Sequence, residues 1–329
     1  MNFGIRYLTE YRYDHPVTDN LNALRVRPAT TATQRVDDFH VRVDPEARLQ
    51  RHLDYFGTEV IEFGVATPHD HLTIDVRARV VTAEPPAVTS APWEALGAPA
   101  YRAAGGEFLL DGTNEPVGID EDGRSAGVLE ELVAAARGDT PLATVQALCD
   151  LIPDRFTYRQ GATYVGSTTQ DLIDAGAGVC QDFVHLALIL LRRMGIAARY
   201  VSGYLWAAPE DDGDSSLEVD THAWIEALLP SEGGRGEPVW VGFDPTNRRA
   251  AGETHVKIGH GRHYPDVPPV KGVYRGVATA ELAARGTKTR QAPQASARAC
   301  ARPRARARGR ARTARRRPAS RSRRRGRRR

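Results

Sequence analysis

Three residues in the second half of the chain have the types and settings that thiol chemistry needs: Cys180, His222 and Asp244. Cys180 follows the Gly176-Ala-Gly178 turn and opens the run Cys180-Gln-Asp-Phe-Val-His-Leu-Ala-Leu-Ile-Leu-Leu-Arg-Arg193, apolar on nearly every side. Such a run reads as a helix buried in a core, and a helix N-terminus carries a partial positive charge and N–H groups without partners. Both favour a thiolate, and the same N–H groups can hold an oxyanion beside the sulfur. A lone cysteine is by base rate an inert core residue. Cys149, on the apolar stripe of its own segment, fits that description, whereas the position of Cys180 brings the reactive reading level with the inert one.

A thiolate catalyst also needs an imidazole and a group to orient it. His222 begins Thr221-His-Ala-Trp-Ile-Glu226, where alternation sets His222, Trp224 and Glu226 on one phase and Ala223 and Ile225 on the other. Asp244 ends the apolar run Val239-Trp-Val-Gly-Phe243 and is followed by Pro245. Each has an ordinary alternative, a histidine at a strand start and an Asp-Pro turn. Two adjacent antiparallel strands would bring them side by side, facing the helix that carries Cys180.

The elements that must position these residues change character along the chain. Residues 1–85 show period-two alternation at Phe3-Ile5-Tyr7, Phe39-Val41-Val43 and Leu72-Ile74-Val76, broken by turn signals at His15-Pro16, Asp44-Pro45 and Thr67-Pro68. They read as a β-sandwich-like module. Residues 86–126 are a linker, stiffened by Pro85, Pro86 and Pro92 and then rich in Gly and Ala. From residue 127 the period turns helical, with stripes at Val128-Leu129-Leu132-Val133 and Leu142-Val145-Leu148-Leu151. Ser167-Thr-Thr-Gln170 has the pattern of a capping box for a short helix, and Gly195 ends the long one. Strands are expected at Ala198–Leu205, Thr221–Leu229 and Pro238–Phe243, with polar loops at 207–219 and 231–237. Helix followed by antiparallel strands makes residues 127–285 an α+β core.

Charge divides the 329-residue chain in two. Residues 288–329 hold 19 basic and no acidic side chains, leaving 26 basic against 41 acidic over residues 1–287, a net of −15. An acidic body excludes a nucleic-acid-binding core; residues 286–329 read as a disordered Arg-rich tail, able to bind nucleic acid only non-specifically. No apolar run reaches the ~18–20 residues of a membrane span, and the alternating N-terminus lacks a signal-peptide core. Three cysteines, Cys149, Cys180 and Cys300, are too few and too odd in number for a disulfide framework. The expectation is a cytoplasmic protein with free thiols, no membrane contact and no cofactor or metal. His185, five residues after Cys180, lies off its helix face, and His255, His260 and His263 lack zinc spacing and are expected at the surface. Asp182 inside the apolar run requires a buried hydrogen bond or an arginine.

Four blocks in order, Gly178-Val-Cys-Gln-Asp-Phe-Val-His185, Gly195-Ile-Ala-Ala-Arg-Tyr-Val-Ser-Gly-Tyr204, Thr221-His-Ala-Trp-Ile-Glu226 and Trp240-Val-Gly-Phe-Asp-Pro-Thr-Asn247, closely resemble the bacterial transglutaminase-like proteins, candidate cysteine proteases. Tyr11-Arg-Tyr13, Leu24-Arg-Val-Arg-Pro28 and Pro68-His-Asp-His-Leu72 resemble that family's N-terminal region. The resemblance spans roughly residues 1–282. It implies a papain-like core and a Cys–His–Asp triad, carried onto Cys180, His222 and Asp244, acting on the amide bonds of a protein or peptide through a thioester. Two departures stand out. His263 sits in Gly261-Arg-His-Tyr264, where the family reads Gly-Arg-Asp-Tyr. The family's closing strand after Glu281-Leu282 is expected to be lost here, since the Arg/Ala/Pro tail is what GC-rich coding DNA yields when read out of frame. A catalytically inactive scaffold that keeps the fold is the competing reading, and the complete set of three residues counts against it.

Overall fold

The period-two pattern of the first 85 residues resolves into five strands: β1 (Asn2–Leu24), β2 (Gln34–Asp44), β3 (Gln50–Leu53), β4 (Glu59–Val65) and β5 (His69–Thr82). The computed structural model describes residues 1–110, 124–206, 216–218, 221–231 and 236–290. β1 organises the module. Its first half pairs antiparallel with β5 and its second half with β4, the register breaking between Arg12 and Val17. β2 extends the sheet beyond β5, and β3 beyond β4. The inward phase of β1, Phe3, Ile5 and Tyr7, is buried, as the alternation requires.

The helical stripes become α2 (Arg124–Ala136) and α3 (Pro141–Arg155), preceded by the short α1 (Pro99–Gly105). Then come β6 (Thr157–Tyr158), α4 (Thr169–Ala175), β7 (Ala177–Gly178) and the central helix α5 (Cys180–Arg193). Val184 and Leu186 through Leu191 are all 0 % exposed, so α5 is enclosed on every side, which is why its sequence shows no polar stripe. β8 (Ala198–Leu205), β9 (Ser216–Glu218), β10 (Thr221–Leu229), β11 (Val239–Asp244), β12 (Arg249–Ala250) and β13 (His255–Gly261) follow, and five of them form an antiparallel sheet in the order β12-β11-β10-β8-β13. Ala223, Ile225 and Ala227 of β10 pack with α5 in one core. The fold is α+β, as expected.

A second core lies between the N-terminal sheet and strands β8 and β13 of the five-stranded one. Phe3, Ile5, Tyr7, Leu72 and Ile74 share it with Tyr204, Trp206, Val256 and Ile258. Each large side chain buried there contributes about 1.5–3 kcal/mol, so the two sheets are held together by an apolar contact of their own within the unit Met1–Pro293.

The expected loss of the closing strand is corrected. After β14 (Val270–Arg275), which pairs with the second half of β1, residues Ala280–Arg290 form an eleven-residue strand, β15. It pairs antiparallel with β1 from Tyr13↔Ala280 to Phe3↔Arg290, and with β9 on its other edge. The first residues of the Arg-rich segment serve because a strand at this place needs only backbone hydrogen bonds, and Glu281–Ala284 stay exposed. The remainder of the tail, including Cys300, and the loop residues 207–215, 219–220 and 232–235 lie outside the described residues. The capping box is displaced by one residue. Thr168, not Ser167, caps α4: its hydroxyl accepts from Asp171 N–H at 3.2 Å, and Asp171 accepts from Thr168 N–H at 2.7 Å. Ser167 accepts from Tyr164 N–H instead.

Glu226 shows how the outward phase of β10 is stabilised. Its carboxylate accepts from Arg199 Nε at 2.6 Å and Lys257 Nζ at 2.6 Å, with all three side chains only 13–14 % exposed. Burial works to raise the Glu226 pKa, but the two cations outweigh it and keep the carboxylate ionised. Glu226→Gln leaves two buried cations without their counterion, and we expect it to lower unfolding stability by about 3–5 kcal/mol. A urea midpoint unchanged from wild type would contradict this.

Candidate active site

Cys180 occupies the first position of α5, with Val179 as the N-cap residue. The turn before it is tight for a steric reason. A side chain at Gly178 would bring a Cβ within 2.7 Å of Asp182 Oδ2 and 2.8 Å of Leu172 Cδ1. Asp182, in the first turn, accepts from Val179 N–H at 2.8 Å and from the Thr163 hydroxyl at 2.6 Å, which meets the requirement its buried position imposed. Cys180 and Gln181 keep first-turn N–H groups for which an α-helix supplies no carbonyl. Cys180 is half-buried at the edge of the core, whereas Cys149 is buried within it and its thiol is pushed up to about 12, chiefly by burial.

β10 and β11 bring the other two residues together. His222 Nε2 donates to Asp244 Oδ2 at 2.8 Å across the ends of the two strands. Gly203, directly opposite His222 on β8, is required here, because a Cβ would come within 2.4 Å of the Trp224 ring and 2.2 Å of Val256 O. Trp224 stacks on the His222 imidazole, with centroids 6.3 Å apart and planes at 26°. Asp244 satisfies both of its sequence readings with different atoms. Oδ1 accepts from the N–H groups of Thr246 and Asn247 at 3.0 and 3.2 Å, the turn that an Asp-Pro pair announces. Oδ2 is left for the histidine.

Two further residues converge on Oδ2 that the sequence did not assign. Asn247 Nδ2 donates to it at 2.7 Å and lies 3.4 Å from His222 Nε2. His255 Nε2 donates at 3.1 Å, and its tautomer is fixed because Nδ1 accepts from Gly252 N–H at 3.2 Å. Burial pushes the His255 pKa down and keeps the ring neutral. The expectation that His255, His260 and His263 are surface residues is therefore corrected. β13 carries His255 buried and His260 half-buried, and His263, just after the strand at the start of the Tyr264–Asp266 turn, is buried as well. The family-like Asn247 was in view within Asp244-Pro-Thr-Asn247; His255 had no local signal, since it reaches Asp244 only once β13 crosses the sheet.

The electrostatics favour one arrangement of protons. Burial works to lower the His222 pKa, but hydrogen bonds to Asp244 and to Cys180 overcome it and hold the imidazole up at about 9. Burial likewise works against Asp244 ionisation, and the donors His222 and His255 outweigh it, holding the carboxyl well below its ordinary range. With Nε2 bound to Asp244, Nδ1 is the ring nitrogen left for the sulfur. Cys180 and His222 border a cavity of about 240 Å³ whose walls include Gln181, Tyr200, Ser202 and Tyr264 of the core. His185 takes no part: it is buried, and its Nε2 accepts from Tyr264 N–H at 3.3 Å. Among the described residues, no group of His, Cys, Asp and Glu is arranged to hold a metal ion, and no helix is long and apolar enough to cross a membrane.

Comparison with known proteins places this geometry in context. Residues 3–81 match the bacterial transglutaminase-like N-terminal region, and residues 129–245 match the transglutaminase-like superfamily. An uncharacterized protein of Mycobacterium leprae is 35% identical over 275 residues, 83% of this chain and 93% of its own length. One of Mycobacterium tuberculosis is 35% identical over 283 residues, 82% of this chain and 87% of its own. A protein-glutamine gamma-glutamyltransferase of Pseudomonas aeruginosa is 29% identical over 147 residues, 42% of this chain and 21% of its length. Among solved structures, a candidate cysteine protease from Cytophaga hutchinsonii superposes with a TM-score of 0.63 at 20% identity, covering 88% of this chain and 98% of that one; the likeness is one of fold.

Proposed function

This chain belongs to the transglutaminase-like superfamily, and from that premise we propose that it is a cysteine-dependent acyl-transfer enzyme acting on amide bonds of a protein or peptide, with Cys180, His222 and Asp244 as its catalytic residues. The observation that carries this reading is the division of the His222 ring, Nε2 held by a buried carboxylate and Nδ1 left toward Cys180. On this reading the proton of the Cys180 thiol already resides on the His222 imidazole when the sulfur attacks the carbonyl carbon. The C–S bond forms, and the negative charge on oxygen is met by the Cys180 N–H at the start of α5. Collapse breaks the C–N bond, and His222 returns its proton to the departing amine. Water or a second amine then cleaves the thioester. Because the P. aeruginosa relative is a protein-glutamine gamma-glutamyltransferase, an amine acceptor is part of the test: peptide amides offered with and without a primary amine separate hydrolysis from transamidation. Absence of both products across a broad peptide set would overturn the proposal.

The elevated imidazole pKa supplies a second check. A histidine whose folded pKa lies above the unperturbed ~6.5 contributes stability fully present below that value. The contribution is lost as pH rises through about 9, where the folded His222 gives up its proton. Turnover that needs the imidazolium to protonate a leaving amine should fall over the same interval, whereas alkylation by iodoacetamide needs no acid and should not fall. An alkaline limb of turnover centred near pH 6.5 would show that His222 is not held by Asp244 during catalysis.

A further inference from the structure

The cavity beside Cys180 has a second wall that the catalytic residues do not account for. Tyr7, Thr9 and Tyr11, on one phase of β1, border it together with Leu282 and Ala284 of β15. These residues are register partners, Thr9 opposite Ala284 and Tyr11 opposite Leu282, so a continuous patch of the N-terminal sheet faces the reactive sulfur. Across from it stand Tyr200 and Tyr264 of the core. Two observations point independently to an occupant. The Thr9 hydroxyl is buried, with the residue 1 % exposed, and has no hydrogen-bond partner. Folded proteins seldom leave a buried hydroxyl in that condition unless a water or ligand completes it. Leu282, in contrast, is 56 % exposed, an apolar side chain held open on the cavity rim.

Charge sets the class of occupant. Among the described residues bordering the cavity there is no Asp, Glu, Lys or Arg, and His222 is already paired with Asp244. A charged side chain entering would lose its hydration and meet no counterion, while aromatic faces and a free hydroxyl suit an uncharged apolar or aromatic residue flanked by a peptide group. We propose that β1 and β15 form a substrate subsite for an uncharged, apolar or aromatic peptide segment, with the Thr9 hydroxyl hydrogen-bonding its amide. The N-terminal module is then part of the specificity machinery. This rests on the assignment of Cys180 as nucleophile.

The test uses the full chain and three peptidyl chloromethyl ketones that differ only in the residue next to the ketone: phenylalanine, lysine or glutamate. In each the thiol sulfur forms an S–C bond as chloride leaves and the thiol proton passes to solvent. Labelling at Cys180 is read by peptide mapping, with iodoacetamide as the small reference reagent. The phenylalanine reagent should react at least tenfold faster than either charged one. Thr9→Val, matched in shape and lacking the hydroxyl, should reduce the rate with the phenylalanine reagent relative to iodoacetamide about tenfold, and Thr9→Ser should restore it. If iodoacetamide labels Cys180 but a lysine or glutamate reagent matches or exceeds the phenylalanine one, the subsite is overturned and the enzyme reading stands. A ratio unchanged by Thr9→Val likewise overturns the role of the hydroxyl. If iodoacetamide itself labels Cys180 no faster than Cys149, both proposals fall.

Discussion

Replacing Cys180 with alanine should leave a folded protein whose amide turnover is at least ~10³-fold below wild type. The fold should survive because Cys180 lies at the rim of the core, half-buried, while α5 is anchored by residues beyond it. Asp182 still bonds Val179 N–H, and the run from Phe183 to Leu191 stays enclosed. The loss of activity should be large because the other cysteine among the described residues cannot take its place: Cys149 is 4 % exposed, and burial holds its thiol proton on to about 12. The measurement is a paired one, thermal unfolding to establish the fold and turnover of a peptide amide to establish the loss. Cys149→Ala provides the contrast, since it should weaken packing and leave turnover per folded molecule intact. Turnover by Cys180→Ala within tenfold of wild type would remove the thiol mechanism altogether.

The difference between what the sequence disclosed and what it hid follows the range of the interactions. Cys180 was legible because its signals are local, a turn that excludes side chains running directly into a helix with no polar face. His222 and Asp244 were legible because each ends or begins an alternating run, and strand ends are where a sheet delivers side chains to a site. His255 was not legible. Its strand contains a register shift between Lys257 and Gly259, which breaks the alternation, and its contact with Asp244 exists only because β13 pairs with β8 from the far side. The same reason hid β15. Its residues carry no apolar pattern to read, and its partner lies some 270 residues earlier in the chain, so only the pairing with β1 reveals it as a strand. The N-terminal wall of the cavity could not be foreseen for that reason, although Tyr7 lies in an alternating run.

Asp244→Asn should cost turnover roughly 10³–10⁴-fold, although the substitution changes a single atom. Asp244 Oδ2 receives three N–H donors, from His222, His255 and Asn247, and Oδ1 receives two from the backbone turn. Asparagine has one oxygen for these five. If that oxygen keeps the turn, an NH₂ group faces three donors, and His222 can relieve the clash only by moving its proton to Nδ1. That neutral tautomer cannot accept the thiol proton at Nδ1, so the sulfur loses its imidazolium partner. If the oxygen instead keeps the histidines, the amide hydrogens oppose the N–H groups of Thr246 and Asn247 and the turn opens. His255 offers no relief, because Nδ1 is already an acceptor for Gly252 N–H and its Nε2 proton has nowhere else to go. The imidazole of His222 also loses its principal source of positive shift, so any residual turnover should lose its alkaline limb at a pH below the wild-type value of about 9. A structural defect alone would lower activity without moving that limb. The pH profile of the variant therefore decides between a carboxylate that orients and charges the imidazole and one that merely closes a turn.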